Sequence, residues 1–503
     1  MSADRTLAPA LPVPSRDKAA RVDSISSGSY QEQIHSASRE TSSESPEPSD
    51  EKAAAAAHHG REGVDPNPVY TAEEERRLVR KIDLLLLPSL SILYLLSFLS
   101  IGAAKIDGMA TDLHLGTQYP TALTLFFVGY VLFEIPGNWG LKLTKPAFWM
   151  PMTTVCFGVV SLTQGLVHNT SGLLAVRFFL GVCEASLFPG TVFIFSQWYL
   201  RKERVVRVSF FFSAAAAAGA FGGILAYVIG GIFIIEGLLT IVIAGITFFT
   251  IPHYPYKTNW FNPRELSILH HRLRQDSDAL EEEGFNWSGA KQAFKDPLVY
   301  GFCFLFHGVS FALYTISLFA PSIILGMGYT SWQAQLLTTP PYVFSFLVTM
   351  LVAWTAKRTG IRAPYILGSI LVAILGYIVL ITSPTVGGQY TALFLIVGGV
   401  YPADALLLAW PSENIAGATK RNTALAMVIS IGNVGAIIGT QLYREPLGGL
   451  SNAGYHVSEG LTILWLCIGL SACSFLWWRM SRANAYRKRI LDGQAEGSEG
   501  FRS

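Results

Sequence analysis

Apolar and polar residues alternate along this chain in long blocks rather than in short periods. About twelve apolar stretches of some 20 residues each run from Leu84 to about Arg479. The hydrocarbon core of a bilayer is about 30 Å thick, and a helix rising about 1.5 Å per residue needs about 20 apolar residues to cross it. The pattern predicts spans near 84–104, 119–140, 147–167, 172–198, 207–229 and 232–250, then 298–320, 335–356, 364–383, 389–411, 423–442 and 460–479. The expected fold class is an all-α membrane protein with twelve transmembrane helices in two six-helix halves, covering 71–250 and 298–480.

The segments between and around the spans carry the polar signals. Residues 1–70 are rich in Ser, Pro, Glu and Ala without apolar period, which predicts a disordered cytosolic N-terminal tail with no secretory leader. Within TAEEERRLVRKID (71–83), a short charged surface helix is expected, with Thr71 and Glu74 forming a capping box. The linker at 251–297 contains NPRELSILHHRLRQD, starting at Asn262. Asn262 caps a helix there, and Leu266, Ile268, Leu269 and Leu273 favour one side, so it should lie along the cytosolic face with His270 and His271 solvated. A cytosolic tail is expected at 481–503. Lys142 and Lys145, Arg201 to Arg207, Lys357 to Arg362, and Lys420 with Arg421 fall in loops on one side. The positive-inside rule places that side, the linker and both termini in the cytosol.

Composition agrees and narrows the field. Of 503 residues, 51% are hydrophobic and 14% charged, against about 25% charged in soluble domains. The formal charge of +2 says nothing about nucleic acid, no sustained basic patch with interleaved aromatics appears, and no nucleic-acid partner is expected. The five cysteines lie within apolar spans without metal spacing, which predicts free thiols and no metal. No phosphate-binding loop or nucleophile elbow occurs, so neither ATP use, a cofactor nor catalytic residues are expected, and the chain is not expected to be an enzyme.

The two sequence halves echo each other. The fourth span reads LGVCEASLFPG and the tenth GGVYPADALLLAW, each followed by a basic loop and a glycine-rich span. Gly219 and Gly223 in the fifth span, like Gly435 and Gly439 in the eleventh, are four apart, so each pair gives its helix a small face for close packing. Duplicated halves with a site at their interface recur among secondary transporters.

Ionisable residues within the spans carry the candidate chemistry, because a charge in the bilayer interior costs at least about 2.5–3.5 kcal/mol. Arg177 and Glu184 are seven residues apart in the fourth span and project from one face. A permanent cation beside a titratable acid suits coupling an organic anion to protons, while the structural alternative is an ion pair bracing two helices. His307 in the seventh span is either a substrate contact or a hydrogen-bonded structural histidine. Asp404 in the tenth span is a candidate second proton site. Glu413 is expected in a gate or loop network beside Lys420 and Arg421, Glu134 as an anchor for its loop, and Glu236 near the outer surface without a special role.

Several long segments, in order, resemble the fungal branch of the anion:cation symporters within the major facilitator superfamily, relatives of the allantoate, nicotinate and pantothenate permeases. They are FFVGYVLFEIPGN (126–138), RFFLGVCEASLFPG (177–190), GAFGGILAY (219–227), IFIIEGL (232–238), QAQLLTTPPY (333–342) and the run WPSENIAGATKRN onward (410–444). The resemblance covers about residues 73–480 and implies the major facilitator fold and a rocker-switch of its two halves. It also implies import of carboxylate-bearing metabolites with protons, with the Arg177 and Glu184 positions in anion binding and proton coupling. The chain departs from that pattern twice. SFLSIGAAK (97–105) lacks an Asp-Arg pair usual in relatives, leaving Lys105 as the nearest cation, and only Gly230 and Gly231 join spans five and six.

The expected function is a plasma-membrane carrier, or one of the vacuole or another internal membrane, importing a small organic anion by proton symport. The expected site residues are Arg177 and His307 for substrate, Glu184 and Asp404 for protons, and the four glycines for helix sliding. The expected partners are the anion, the proton and the lipid bilayer, with the protein a monomer. Export of a fungal secondary metabolite and a non-transporting nutrient sensor are the alternatives.

Overall fold

Proline and glycine set where the helices start, break and stop. The computed structural model describes residues 65, 68–97, 118–228, 232–251, 255, 260–275, 286–442 and 453–499. The expected N-terminal tail, Lys105, and the Gly230-Gly231 junction lie outside these. Seven helices come first: α1 (Ala72–Ser97), α2 (Tyr119–Thr144), α3 (Pro146–Gln164), α4 (Thr170–Glu184), α5 (Leu187–Trp198), α6 (Arg201–Val228) and α7 (Ile232–Thr250). The linker contributes α8 (Pro263–Gln275) and α9 (Trp287–Lys295). Then follow α10 (Pro297–Gly326), α11 (Ser331–Thr359), α12 (Ala363–Thr382), α13 (Val386–Asn414), α14 (Ala418–Leu442) and α15 (Ala453–Glu499). No strand occurs among the described residues. Nine described segments, with α4 and α5 taken together, are long and apolar enough to cross a bilayer. The first, fifth and sixth predicted spans correspond to α1, α6 and α7, of which α7 counts as apolar from Glu236 to Thr250.

The helices depart from the expected spans at three places. The expected surface helix and the first span are one continuous helix, α1, which runs through Pro88. Its capping box forms as expected: the Thr71 amide donates to Glu74 at 3.0 Å and the Glu74 amide to the Thr71 hydroxyl at 3.3 Å. The fourth span breaks into α4 and α5 at Ala185 and Ser186. Pro189 has no N–H to give the carbonyl of Ala185, and its ring crowds that turn, so the helix yields immediately after Glu184. Finally, the last helix runs past the expected span end at 479 to Glu499, since residues 479–499 contain no proline and many helix formers.

The first and last six spans meet along two seams, α2 against α14 and α6 against α11. If span n corresponds to span n plus six, one seam maps onto the other, as a duplicated fold requires. Along the first seam, Gln441 donates to Thr124 at 2.6 Å and to the Pro120 carbonyl at 3.2 Å. Towards the end carrying the basic loops, Asn422 donates to the Asn138 carbonyl at 3.1 Å and Lys142 to Thr419. Arg204 closes the same end from the other side. Buried almost completely, it donates to the Tyr199 carbonyl at 2.9 Å, to Ser196 at 2.8 Å and across to Ser412 of α13 at 3.3 Å. Its charge thus meets the unpaired carbonyls that terminate α5.

The linker helix docks on this basic end. Leu266, Ile268, Leu269 and Leu273 of α8 are buried, as their pattern predicted. Arg272 pairs with Glu75 of α1 at 2.7 Å and also with Glu203 of α6, while Glu265 meets Lys81 at 2.8 Å. Asp83 and Arg207 tie α1 to α6 through two parallel bonds of 2.6 and 2.8 Å. The two histidines are not free in solvent as expected: His271 meets the Tyr70 ring edge-on at 5.7 Å, and His270 is half-buried with a hydrogen bond to the Pro255 backbone.

Burial holds the His270 imidazole below its ordinary value, outweighing the opposing Pro255 contact. Folding therefore favours the neutral ring, and its contribution to docking is full above about pH 6.5, the unfolded value, and lost as pH falls through the lower folded one. Limited proteolysis of α8 should accelerate as pH falls from about 7.5 to below about 6. His270→Gln should flatten that dependence; an unchanged profile in the variant would assign the pH effect elsewhere.

Candidate functional site

The site begins with the start of α4. Asn169 caps it, accepting from the Gly172 amide at 2.7 Å, which sets the rotation of the helix. Leu173, Arg177, Leu180, Gly181 and Glu184 then form the buried face, so Arg177 and Glu184 do share one side, as their spacing predicted. Both are 7% exposed. Gly181 allows the close approach this face needs, because a Cβ there would collide with the Phe126 carbonyl of α2.

The guanidinium of Arg177 lies in the field of Glu184, of Tyr119 in α2 and of Glu236 in α7, and its Nε has no hydrogen-bond partner in the protein. Glu236 is buried at 5% exposure and faces both Arg177 and Glu184. The sequence alone gives it no part in this cluster. Its position in an apolar span was the available signal, discounted because it stands near the end of that span. Glu184 also shares a side-chain hydrogen bond with Ser97, the last residue of α1.

Asp404 of α13 is fully buried, and neither carboxyl oxygen has a hydrogen-bond partner in the protein. It is linked to the first cluster through aromatic rings. Tyr94 of α1 and Tyr314 of α10 each lie in the fields of both Glu184 and Asp404. Tyr94 stacks on Phe211 at 4.6 Å between ring centres and lies 5.4 Å from Phe188. Two ring contacts cross between the halves, Phe212 with Tyr401 at 5.9 Å and Phe127 with Tyr314 at 4.7 Å. Tyr401 further bonds Ser317 at 3.0 Å.

His307 takes the structural alternative. Its Nδ1 lies 3.1 Å from the Ile431 carbonyl of α14, and because a carbonyl only accepts, Nδ1 carries the proton. Its ring packs 6.3 Å from Trp465 of α15. None of these contacts joins it to Arg177, Glu184 or Asp404. Glu413 accepts from Arg362 at 2.9 Å, whereas Lys420, expected beside it, pairs with Asp296. Glu134 does not anchor its loop; it reaches across the seam to α14 and accepts from Ser430 at 2.9 Å.

The glycine expectation divides. Gly435 and Gly439 let α14 lie against α10: a Cβ on Gly435 would stand 2.6 Å from the His307 carbonyl, and one on Gly439 3.0 Å from the Thr315 hydroxyl. Gly219 and Gly223 lie in α6, but their surroundings fall outside the described residues.

A bundle of spanning helices in two matched sets, with buried charge between them, defines a membrane carrier. The sequence model described as Major Facilitator Superfamily matches residues 86–440, and the chain belongs to that family of transporters. Among relatives, MFS transporter prlL from a fungal species (strain NRRL 50135) is 34% identical over 76% of this chain and 84% of its own. The high-affinity nicotinic acid transporter of Saccharomyces cerevisiae is 32% identical over 73% of this chain and 72% of its own. A crystal structure of a bacterial homolog to the human lysosomal transporter Spinster, inward-facing and unoccupied, superposes with a TM-score of 0.57 at 15% identity. It covers 81% of this chain and 98% of that one and shows the shared fold.

Gly435→Leu should be destabilising by about 1–3 kcal/mol or more, because backbone rather than a flexible side chain blocks the new atoms. Gly439→Ala should be milder, since the Thr315 hydroxyl can rotate away. Thermal unfolding of the two purified variants in detergent checks the order, and equal melting points would show that α10 and α14 do not depend on this approach.

Proposed function

We propose that this transporter imports a small organic anion bearing a carboxylate, together with protons, across the fungal plasma membrane. The observation that carries the reading is Arg177, buried in the bundle and faced by acidic side chains from two helices. Arginine keeps its charge in any such setting and presents a fork that matches a carboxylate. An anion arriving at this fork adds negative charge to a place that already holds Glu184 and Glu236. Protons taken up by these acids relieve the excess, and this is the physical basis of coupling.

Glu184 is the residue we assign to the proton exchanged with each anion, since it shares the buried face of Arg177. Asp404 is the second, because an ionised carboxylate without hydrogen-bond partners is costly to keep in the membrane interior. His307 is assigned to helix packing rather than to the substrate. The named substrate of the yeast relative, nicotinic acid, is a carboxylate of this kind and supports the reading. The basic loops orient the linker and both termini towards the cytosol. The protein works as a monomer whose halves rock about the central site.

Cells expressing the protein should accumulate labelled nicotinate, pantothenate or allantoate, and a protonophore should abolish the accumulation. Uptake insensitive to external pH and to the protonophore would overturn proton symport. Arg177→Ala should weaken apparent affinity by about 30-fold or more, the scale of removing one partner of a buried charge pair. Arg177→Lys should retain part of it. Unchanged affinity in Arg177→Ala would remove the residue from the site.

A further inference from the structure

We propose that Glu134 is a further proton-coupling residue, separate from the anion site: a proton on it holds the α2–α14 seam shut at the basic end, and losing that proton lets the seam part. The carboxyl group is fully buried where the two halves meet. One oxygen accepts from Ser430 of the opposite half at 2.9 Å, and the other has no hydrogen-bond partner in the protein. A single hydroxyl is poor solvation for an ionised carboxylate. The dry, closed seam therefore favours the neutral acid, and a parted, wetted seam favours the ion.

Its place on the seam makes this preference mechanically relevant. Below Glu134 towards the basic end, the zipper continues through Asn422 to the Asn138 carbonyl and Lys142 to Thr419. Asn138 also donates back to the Glu134 main-chain carbonyl at 2.8 Å, so this rung lies one helical turn from the acid on the same helix. Ser430 and Glu134 must separate whenever the halves part at this end. By linkage, whatever favours the proton on Glu134 favours closure, and closure favours the proton equally.

The titratable groups around Glu134 do not supply a competing explanation. Tyr130 of its own helix and Tyr314 of α10 share its field, and through them it neighbours Glu184 and Asp404. Helix α4, packed along α2, carries Arg177 and Glu184, and neither is in contact with the Glu134 carboxyl group, whose partner is Ser430. From α14 it meets Ser430, with Arg421 nine residues nearer the basic end. Helices α3 and α5 bring no carboxylate or basic side chain.

This inference rests on the alternating-access reading but not on any substrate, and its test uses none. Exposed Leu143 and Ala416 flank the seam at the basic end; both are replaced by Cys and spin-labelled after exposed Cys156 and Cys467 are changed to Ser. Distances measured in proteoliposomes should lengthen as pH rises, the open-to-closed ratio changing at most about tenfold per pH unit for one linked proton. Glu134→Gln should hold the short distance at every pH, while Glu134→Asp should restore a titration. A wild-type distance that ignores pH, or a Glu134→Gln profile matching wild type, overturns the proposal. Failure of the full-length carrier to take up nicotinate, with the distance profile as expected, would instead count against the substrate reading alone.

Discussion

A cation placed among hydrocarbon side chains has to be opposed by negative charge, and much of this structure follows from how Arg177 is opposed. The cap at Asn169 fixes the rotation of α4, and the glycine at 181 brings that helix against α2, so the guanidinium faces inward. Acids then come from α4 and α7, and a tyrosine from α2. Pro189 ends the helix at Glu184, loosening the backbone where the acid sits. The same helix thus carries the charge, its counter-charge and the place where it can flex.

The remaining helices keep this centre dry while leaving its walls divisible. Rings from α1, α2, α5, α6, α10, α11 and α13 surround the acids, and two of their contacts join opposite halves. Both contacts pair a phenylalanine of one half with a tyrosine of the other, and the Tyr401 hydroxyl keeps its Ser317 partner within its own half, so the rings can part without stranding it. Helices α2 and α14 are joined by hydrogen bonds at both ends of their seam, two of which end on backbone carbonyls. A bundle built this way resists twisting about the seam but permits its ends to part in turn.

The twelve-span architecture was legible because each span is an unbroken apolar run of membrane length, and lipid leaves few other ways to satisfy a backbone. The shared face of Arg177 and Glu184 was legible too, being a matter of seven-residue spacing along one helix. What the sequence hid were relations between helices. Glu236 lies 59 residues from Arg177, and nothing local in IFIIEGL says that it turns towards the centre rather than the surface. Glu134 reads as the end of a helix, and only the α2–α14 crossing shows that Ser430 is its partner. His307 is the reverse case: an intramembrane histidine suggests chemistry, but the structure places its Nδ1 against a carbonyl on α14 and its ring beside Trp465, away from the charged cluster. The docking of α8 was half legible, its apolar stripe being periodic while its ion pairs with α1 depend on the first helix starting at Ala72, well before its membrane part at Leu84.

The linker has a consequence for how far this machine can travel. Helix α8 is fastened to α1 and α6, and α9 to α14, where Asn286 donates to Thr419 at 3.3 Å and Lys420 meets Asp296 at 2.6 Å. Each docked helix therefore rides with a different half. Eleven peptide steps separate Gln275 from Asn286, and a fully stretched chain of that length reaches roughly 35–40 Å. That length is an upper limit on how far the two docked helices can separate, a hard stop against dissociation of the halves, and shortening it should cap the swing before it touches the chemistry at the centre.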